Sequence, residues 1–122
     1  MNTMYQERIL QLSAQPHNFG RLPSATNKII IDNPLCGDTI QMEIEIEKGL
    51  IKNAMFTGKG CAISKASASL LTDEIKGKPI SELRKLNKAS IISMLRIDLG
   101  PNRLKCALLP LEALHKAIVS ES

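Results

Sequence analysis

Eight consecutive residues constrain this chain more than any others: Ile40, Met42, Ile44 and Ile46 alternate with Gln41, Glu43, Glu45 and Glu47. A period of two is the mark of a β-strand with one buried and one wet face, and such a strand needs a pairing partner and a cover. The partner follows directly. Lys48-Gly49 supplies turn chemistry, and residues 50–57 form a second apolar run, so the two segments predict an antiparallel hairpin. A two-residue turn sets Glu45 opposite Lys52 and Met42 opposite Met55. Carried past the open end of the strands, the same pairing brings Cys36 across from Cys61.

The other segments divide into one more strand and a set of helices. Ile9, Leu10 and Leu12 give residues 5–14 an amphipathic helical pattern closed by Pro16. Residues 17–25 are rich in loop formers, residues 28–31 read as a strand, and Asn33-Pro34 breaks it. After the hairpin, residues 61–71 carry Ile63, Ala66, Leu70 and Leu71 at helical spacing with small residues between, which predicts a helix packed closely on the sheet. Pro79 and Ser81 open another, with Ser81 as its N-cap. A further helix is expected over residues 88–99, closed by Gly100-Pro101. Leu104, Ala107, Leu108, Leu111, Leu114 and Ile118 make a final stripe, with Pro110 removing one backbone donor inside it. Strands first and helices after them give an α+β fold: a small three-stranded antiparallel sheet with helices packed on one face. With 122 residues, no internal repeat and no linker, residues 1–122 read as a single domain.

Composition then narrows the function. There is no Trp, one Tyr and two Phe, so the core is aliphatic. No apolar run approaches the ~20 residues needed to cross a bilayer, and the N-terminus carries charge where a signal peptide carries its apolar segment. A cytoplasmic protein with no membrane partner is expected. Three cysteines, an odd number and widely spaced, do not make a disulfide framework in a reducing compartment. Metal binding, reactivity or burial remain for them. The net charge of +4 is concentrated: Lys76, Lys78, Arg84, Lys85, Lys88, Arg96, Arg103 and Lys105 stand in one stretch against Glu82 and Asp98. That stretch is either an ordinary solvated face or a surface for an acidic partner. A basic, zinc-stabilised nucleic-acid module is the binding-protein alternative, disfavoured because aromatic stacking platforms are nearly absent. A metal-dependent hydrolase is disfavoured too, since no second acidic residue lies beside the cysteines to act as base.

The chemistry collects around the cysteines. Asp38 follows Cys36 by two positions, so in extended chain both side chains leave on the same side. Glycines flank two of the thiols, in Cys36-Gly37-Asp38 and Gly58-Lys59-Gly60-Cys61, and permit a close backbone approach to a bound ion. Cys106 is expected near the start of the last helix if that helix begins close to Arg103, with Arg103 and Lys105 adding positive potential. Three thiolates and a carboxylate suit tetrahedral Zn²⁺, and equally iron with sulfide. Each thiol arrives from a different loop, without the paired Cys-x-x-Cys knuckles of structural zinc, and a carboxylate among thiolates is an exchangeable ligand. His17 and His115 read as surface or loop histidines, Met42 and Met55 as core filler, and Ser64, Ser67 and Ser69 as residues that let helices pack closely.

Three ordered blocks carry a family resemblance: Asn33-Pro34-Leu35-Cys36-Gly37-Asp38; Gly58-Lys59-Gly60-Cys61-Ala62-Ile63-Ser64 with Ala66-Ser67-Ala68-Ser69; and Arg103-Leu104-Lys105-Cys106-Ala107. With Tyr5 and the loop Pro16-His17-Asn18-Phe19-Gly20, they resemble the IscU/NifU N-terminal/SufU iron–sulfur cluster assembly scaffold family over nearly the whole chain. The resemblance implies a NifU-like α+β fold, a cysteine desulfurase as partner, and apo iron–sulfur proteins as acceptors downstream. It implies Cys36, Asp38, Cys61 and Cys106 as ligands of Zn²⁺ or a [2Fe-2S] cluster, and Cys106 as the sulfur acceptor that attacks the desulfurase persulfide. Such a protein is a scaffold or sulfur acceptor in place of a conventional enzyme, the alternative being a zinc-dependent sulfurtransferase acceptor with no scaffold role. Lys105 resembles SufU members, where IscU members carry His, and the Leu-Pro-Pro-Val-Lys chaperone motif of IscU members is missing. The 44 residues between Cys61 and Cys106 leave little room for the extra segment of SufU members.

Overall fold

The structure, a computed structural model, describes residues 3–33 and 37–119. Helix α1 (Thr3–Ala14) leads into strand β1 (Asn27–Asn33), then the hairpin of β2 (Asp38–Glu47) and β3 (Leu50–Lys59). Four helices follow: α2 (Ala62–Ile75), α3 (Ile80–Leu83), α4 (Lys88–Leu95) and α5 (Pro101–Ile118). The sheet is antiparallel in the order β1-β2-β3, the three-stranded α+β arrangement expected from the sequence. Ile31, Ile40, Met42, Ile44, Ala54 and Phe56 are buried beneath α2 and α5, while α1 and α4 pack outside on α2.

The hairpin differs from its predicted pairing by one residue. Glu47 faces Leu50 and Ile46 faces Ile51 as a two-residue turn requires, with Lys48 and Gly49 at φ 54° and 75°. A bulge between Glu45 and Ile46 then shifts the ladder, so Glu45 faces Asn53 and Met42 faces Phe56, not Lys52 and Met55. Lys52 still reaches Glu47 at 3.2 Å across the exposed surface. The face expected to be wet is partly covered as well. The loop after α1 lies over it, Arg21 Nε donating to Glu43 Oε2 at 2.7 Å and the Leu22 amide to Oε1 at 3.3 Å, and Glu43 is buried.

Two helix ends also differ from expectation. Ser81 does not cap α3, whose N-cap is Pro79 with no side-chain bond. Helix α4 stops at Leu95, where Arg96 turns into the left-handed region at φ 57°, four residues short of Leu99. Gly100-Pro101, read as a terminator, instead begins α5: Gly100 is its N-cap and Pro101 its first residue, where a missing amide costs no helical bond. The helix continues through Pro110 to Ile118. No helix among the described residues is long and apolar enough to cross a membrane.

A small network ties the loop at the end of α1 to α2. His17 Nδ1 lies 2.7 Å from Asp73 Oδ2, and Asn18 Nδ2 donates to Asp73 Oδ1 and Thr72 Oγ1, each at 2.9 Å. Partial burial pushes the Asp73 carboxyl up. The hydrogen bonds from His17 and Asn18 and the charges of His17 and Lys76 outweigh it and hold the group below its usual value. The Phe56 amide donates to Asn18 O, and Phe19 meets Phe56 edge to face with ring centroids 5.3 Å apart.

Candidate metal centre

Three chain segments deliver one donor each to the open end of the hairpin. Asp38 is the first residue of β2, Cys61 is the N-cap of α2, and Cys106 lies in the second turn of α5. A carboxylate oxygen of Asp38 and the Sγ atoms of Cys61 and Cys106 all lie within 4.8 Å of one another. A tetrahedral ion with bonds of about 2.3 Å to sulfur separates its donors by about 3.8 Å, so a contraction of roughly 1 Å would bring these three onto one metal. Two thiols and a carboxylate fit a borderline-soft ion such as zinc or iron. Cys36, the fourth expected ligand, lies outside the described residues. The described ladder at this end is offset by one residue from the expected pairing, with Thr39 facing Lys59.

Local sequence fixes this geometry atom by atom. Gly58 faces Ile40 across the hairpin, and a Cβ there would lie 2.1 Å from the Thr39 carbonyl oxygen, so only glycine lets β3 come this close to β2. A Cβ on Gly60 would lie 2.6 Å from Asp38 Oδ1 and 2.8 Å from Ser64 Oγ. That missing carbon is the space the carboxylate occupies. The glycines therefore make room for Asp38 first, and only through it for an ion. Asp38 is 2% exposed; its Oδ1 accepts from the Cys61 amide at 3.1 Å and its Oδ2 from the Cys61 thiol at 3.4 Å. A ligating carboxylate is thus oriented by a backbone donor of a neighbouring ligand. On the other side, the buried Ser67 hydroxyl donates to the Ala107 carbonyl at 2.6 Å, joining α2 to α5 one residue from Cys106.

The thiols differ in access. Both are reduced, Cys61 exposed and Cys106 only 5% exposed. Cys106, expected near the start of the last helix, lies in the second turn of α5, which begins at Pro101, and Cys61 stands at the head of α2. Both line a cleft of about 550 Å³ together with Ile9, Leu10, Ile97 and Arg103. Leu10 points into this cleft and is 62% exposed, in contrast to the core role its spacing suggested. Arg103 is the one lysine or arginine among the residues lining it, and Lys105 lines a separate depression beside Asp32 and Glu112. Elsewhere in the basic stretch Lys78 pairs with Glu74 and Arg84 donates to the Ile118 carbonyl. His17 bonds Asp73 and His115 Nε2 lies 3.1 Å from the Leu83 carbonyl oxygen, both apart from the centre. The cleft residues Gln6 and Asn102 escaped the sequence reading, and Leu10 entered it only as part of the apolar pattern of the first helix. The trace they left was an apolar residue on the outward side of α1.

Residues 4–120 match the model of the NifU-like N-terminal domain family. The chain is 34% identical to the zinc-dependent sulfurtransferase SufU of Bacillus subtilis, covering 99% of this chain and 93% of that protein. That alignment runs over 140 positions where this chain has 122 residues, so the Bacillus protein carries residues with no counterpart here. The iron–sulfur cluster assembly scaffold protein IscU of Buchnera aphidicola is 32% identical, covering 93% of this chain and 91% of its own length. Among solved structures, FiSufU of the thermophile Fervidobacterium islandicum superposes with a TM-score of 0.80 at 26% identity, over 95% of this chain and 97% of that one. The match spans both flanks of the converging donors, and the chain belongs to the family of NifU-like N-terminal domains.

Proposed function

We propose that this protein receives persulfide sulfur from a cysteine desulfurase and holds Zn²⁺ or a nascent [2Fe-2S] cluster through Cys36, Asp38, Cys61 and Cys106. The observation that carries this reading is the meeting of Asp38, Cys61 and Cys106 within 4.8 Å, from three separate elements, beside an open cleft. Thiolates supply the soft donors that zinc and iron–sulfur clusters share, and Cys106 is the seat of the accepted sulfur. Asp38 is the weakest donor of the set and so the one through which cargo leaves, to apo iron–sulfur proteins in the cytoplasm. The Asp38→Ala variant is expected to keep its cluster longer than the parent under transfer conditions; complete loss of binding would count against that role.

A second reading, a zinc-dependent sulfur acceptor with no scaffold role, is favoured by the similarity to SufU over 99% of the chain. Bound zinc would hold the thiols as thiolates until a docking partner displaces one. Purification without oxygen, followed by metal and acid-labile sulfide analysis, separates the two. Iron with sulfide supports the scaffold; zinc, with faster alanine release when desulfurase and cysteine are added, supports the acceptor. A protein that takes up neither metal and leaves the desulfurase unchanged would defeat both.

A further inference from the structure

The two outer edges of the sheet are finished differently. The free edge of β3 is occupied at both ends. The Gly20 amide donates to the Phe56 carbonyl and the Phe56 amide to that of Asn18, while Ile51 exchanges backbone bonds with Gly77 and Lys78. Among the described residues, no backbone bond joins residues 28–32 of β1 to any element besides β2. An unpaired edge is a template for another strand, and natural edges are blunted by proline, by bulges or by charge, lysine above all. β1 has no proline and no register shift against β2, and its one basic guard is Lys28. Ile29 and Ile31 turn toward the core, and the outward residues Lys28, Ile30 and Asp32 are all exposed, Ile30 to 60%.

We propose that β1 is a self-association edge, which pairs antiparallel with β1 of a second copy of this chain about a two-fold axis at Ile30. The strand Asn27-Lys28-Ile29-Ile30-Ile31-Asp32-Asn33 reads the same in both directions except that its charge reverses. Two copies laid antiparallel about Ile30 set Lys28 of each opposite Asp32 of the other, and Ile30 opposite Ile30. On the inner face Ile29 falls opposite Ile31. Directly opposed side chains stand about 5 Å apart at Cβ, within reach of an ion pair and an apolar contact. A two-fold axis on one residue also sets outward-turned backbone groups against outward-turned ones, so the ladder closes symmetrically. Within one copy the charges remain available: Lys28 Nζ stands 3.9 Å from Glu43 Oε1, Asp32 Oδ1 accepts from Thr39 Oγ1 at 2.8 Å, and both side chains are exposed. The guard that repels a foreign basic edge is thus matched by the chain's own acidic residue. No β1 residue lines the cleft beside Cys61 and Cys106, so the pairing is independent of the proposed function. Two short strands bury little area, and the dimer is a weak one.

The test uses the full chain, kept reduced and free of metal so that neither a disulfide nor a shared ion can join two copies. Sedimentation equilibrium from about 1 μM to about 1 mM is expected to show monomer passing into dimer, the range in which small interfaces associate. Ile30→Lys, at an exposed position, is expected to raise the dissociation constant by about tenfold or more, because it sets like charges against each other on the axis. Lys28→Asp and Asp32→Lys each oppose like charges and should also weaken self-association. Mixed together, they bring an acidic edge to a basic one, and a heterodimer tighter than either homodimer is expected. Circular dichroism checks that each variant is folded; if a charge variant is not, Ile30→Lys alone decides. A monomer at every concentration would overturn the proposal and leave this edge to a strand of another protein. A dimer that Ile30→Lys does not weaken, or folded charge variants that gain nothing on mixing, would overturn the pairing.

Discussion

The two ends of the β2–β3 hairpin are built from the same strands and obey different rules. At the turn, Lys48 and Gly49 lie in the left-handed region, nothing lies within 4 Å of where a Gly49 Cβ would stand, and the Lys52–Glu47 pair is open to water. At the open end, a Gly58 Cβ would strike backbone, a Gly60 Cβ would strike a buried carboxylate, and a backbone amide is already committed to that carboxylate. One end asks only for a backbone conformation. The other asks for specific empty volumes, and in this molecule that stricter demand coincides with the converging donors.

The sharpest way to break the contrast is to add one methyl group at each end. Gly58→Ala must displace the Thr39 carbonyl, and a loss of about 3 kcal/mol is expected in urea unfolding, against about 1 kcal/mol for Gly49→Ala, whose only cost is a positive φ. Equal losses would erase the distinction. Gly60→Ala meets the end of a side chain instead of backbone, so its main effect should fall on the carboxylate. Zinc affinity, measured by competition with a chromogenic chelator, is expected to drop by about tenfold, with a smaller change in stability.

Ser67→Ala removes the bond to the Ala107 carbonyl that ties α5 to α2, for an expected loss of about 1 kcal/mol in the same unfolding measurement. At the turn, Lys52→Met should change stability least. The Lys52 ammonium is raised above its usual value by the hydrogen bond to Glu47 and the charges of Glu47 and Glu45. Its contribution is therefore present at neutral pH, below the unfolded value, and is lost as pH rises through the folded one. Parent and variant should differ slightly at pH 7 in low salt and converge both in high salt and at strongly alkaline pH. A difference that persists in high salt would show that the pair does more than screenable surface work.

Much of this was legible in the residues. The alternation from Ile40 to Ile46 fixed a strand and its buried face, because burial on one side leaves a period that no other element produces. The approach of Asp38, Cys61 and Cys106 was legible as well, through blocks of sequence more than through pairing arithmetic. What escaped were features that depend on a single backbone state. The bulge at Glu45/Ile46 carries no residue type that announces it, and it moved every later pair by one. Gly100-Pro101 reads equally as the end of one helix and the start of another. Arg96, a residue with no preference for a left-handed turn, had already ended α4, so the pair was left to open α5. That change set Cys106 in the second turn of α5. Leu10 was misplaced for a different reason: helical spacing shows which residues share a face, and a cleft can draw an apolar side chain away from the core.

Cys61 occupies the slot ahead of α2 where a hydroxyl or carboxylate side chain would ordinarily grip the first free amides, and its sulfur makes no such bond. The chain therefore forgoes an easy gain in endurance at this one position. A library screened for heat resistance alone should drift toward serine or aspartate at residue 61, and its hardiest members would be the ones that had given up a thiol of the converging donors.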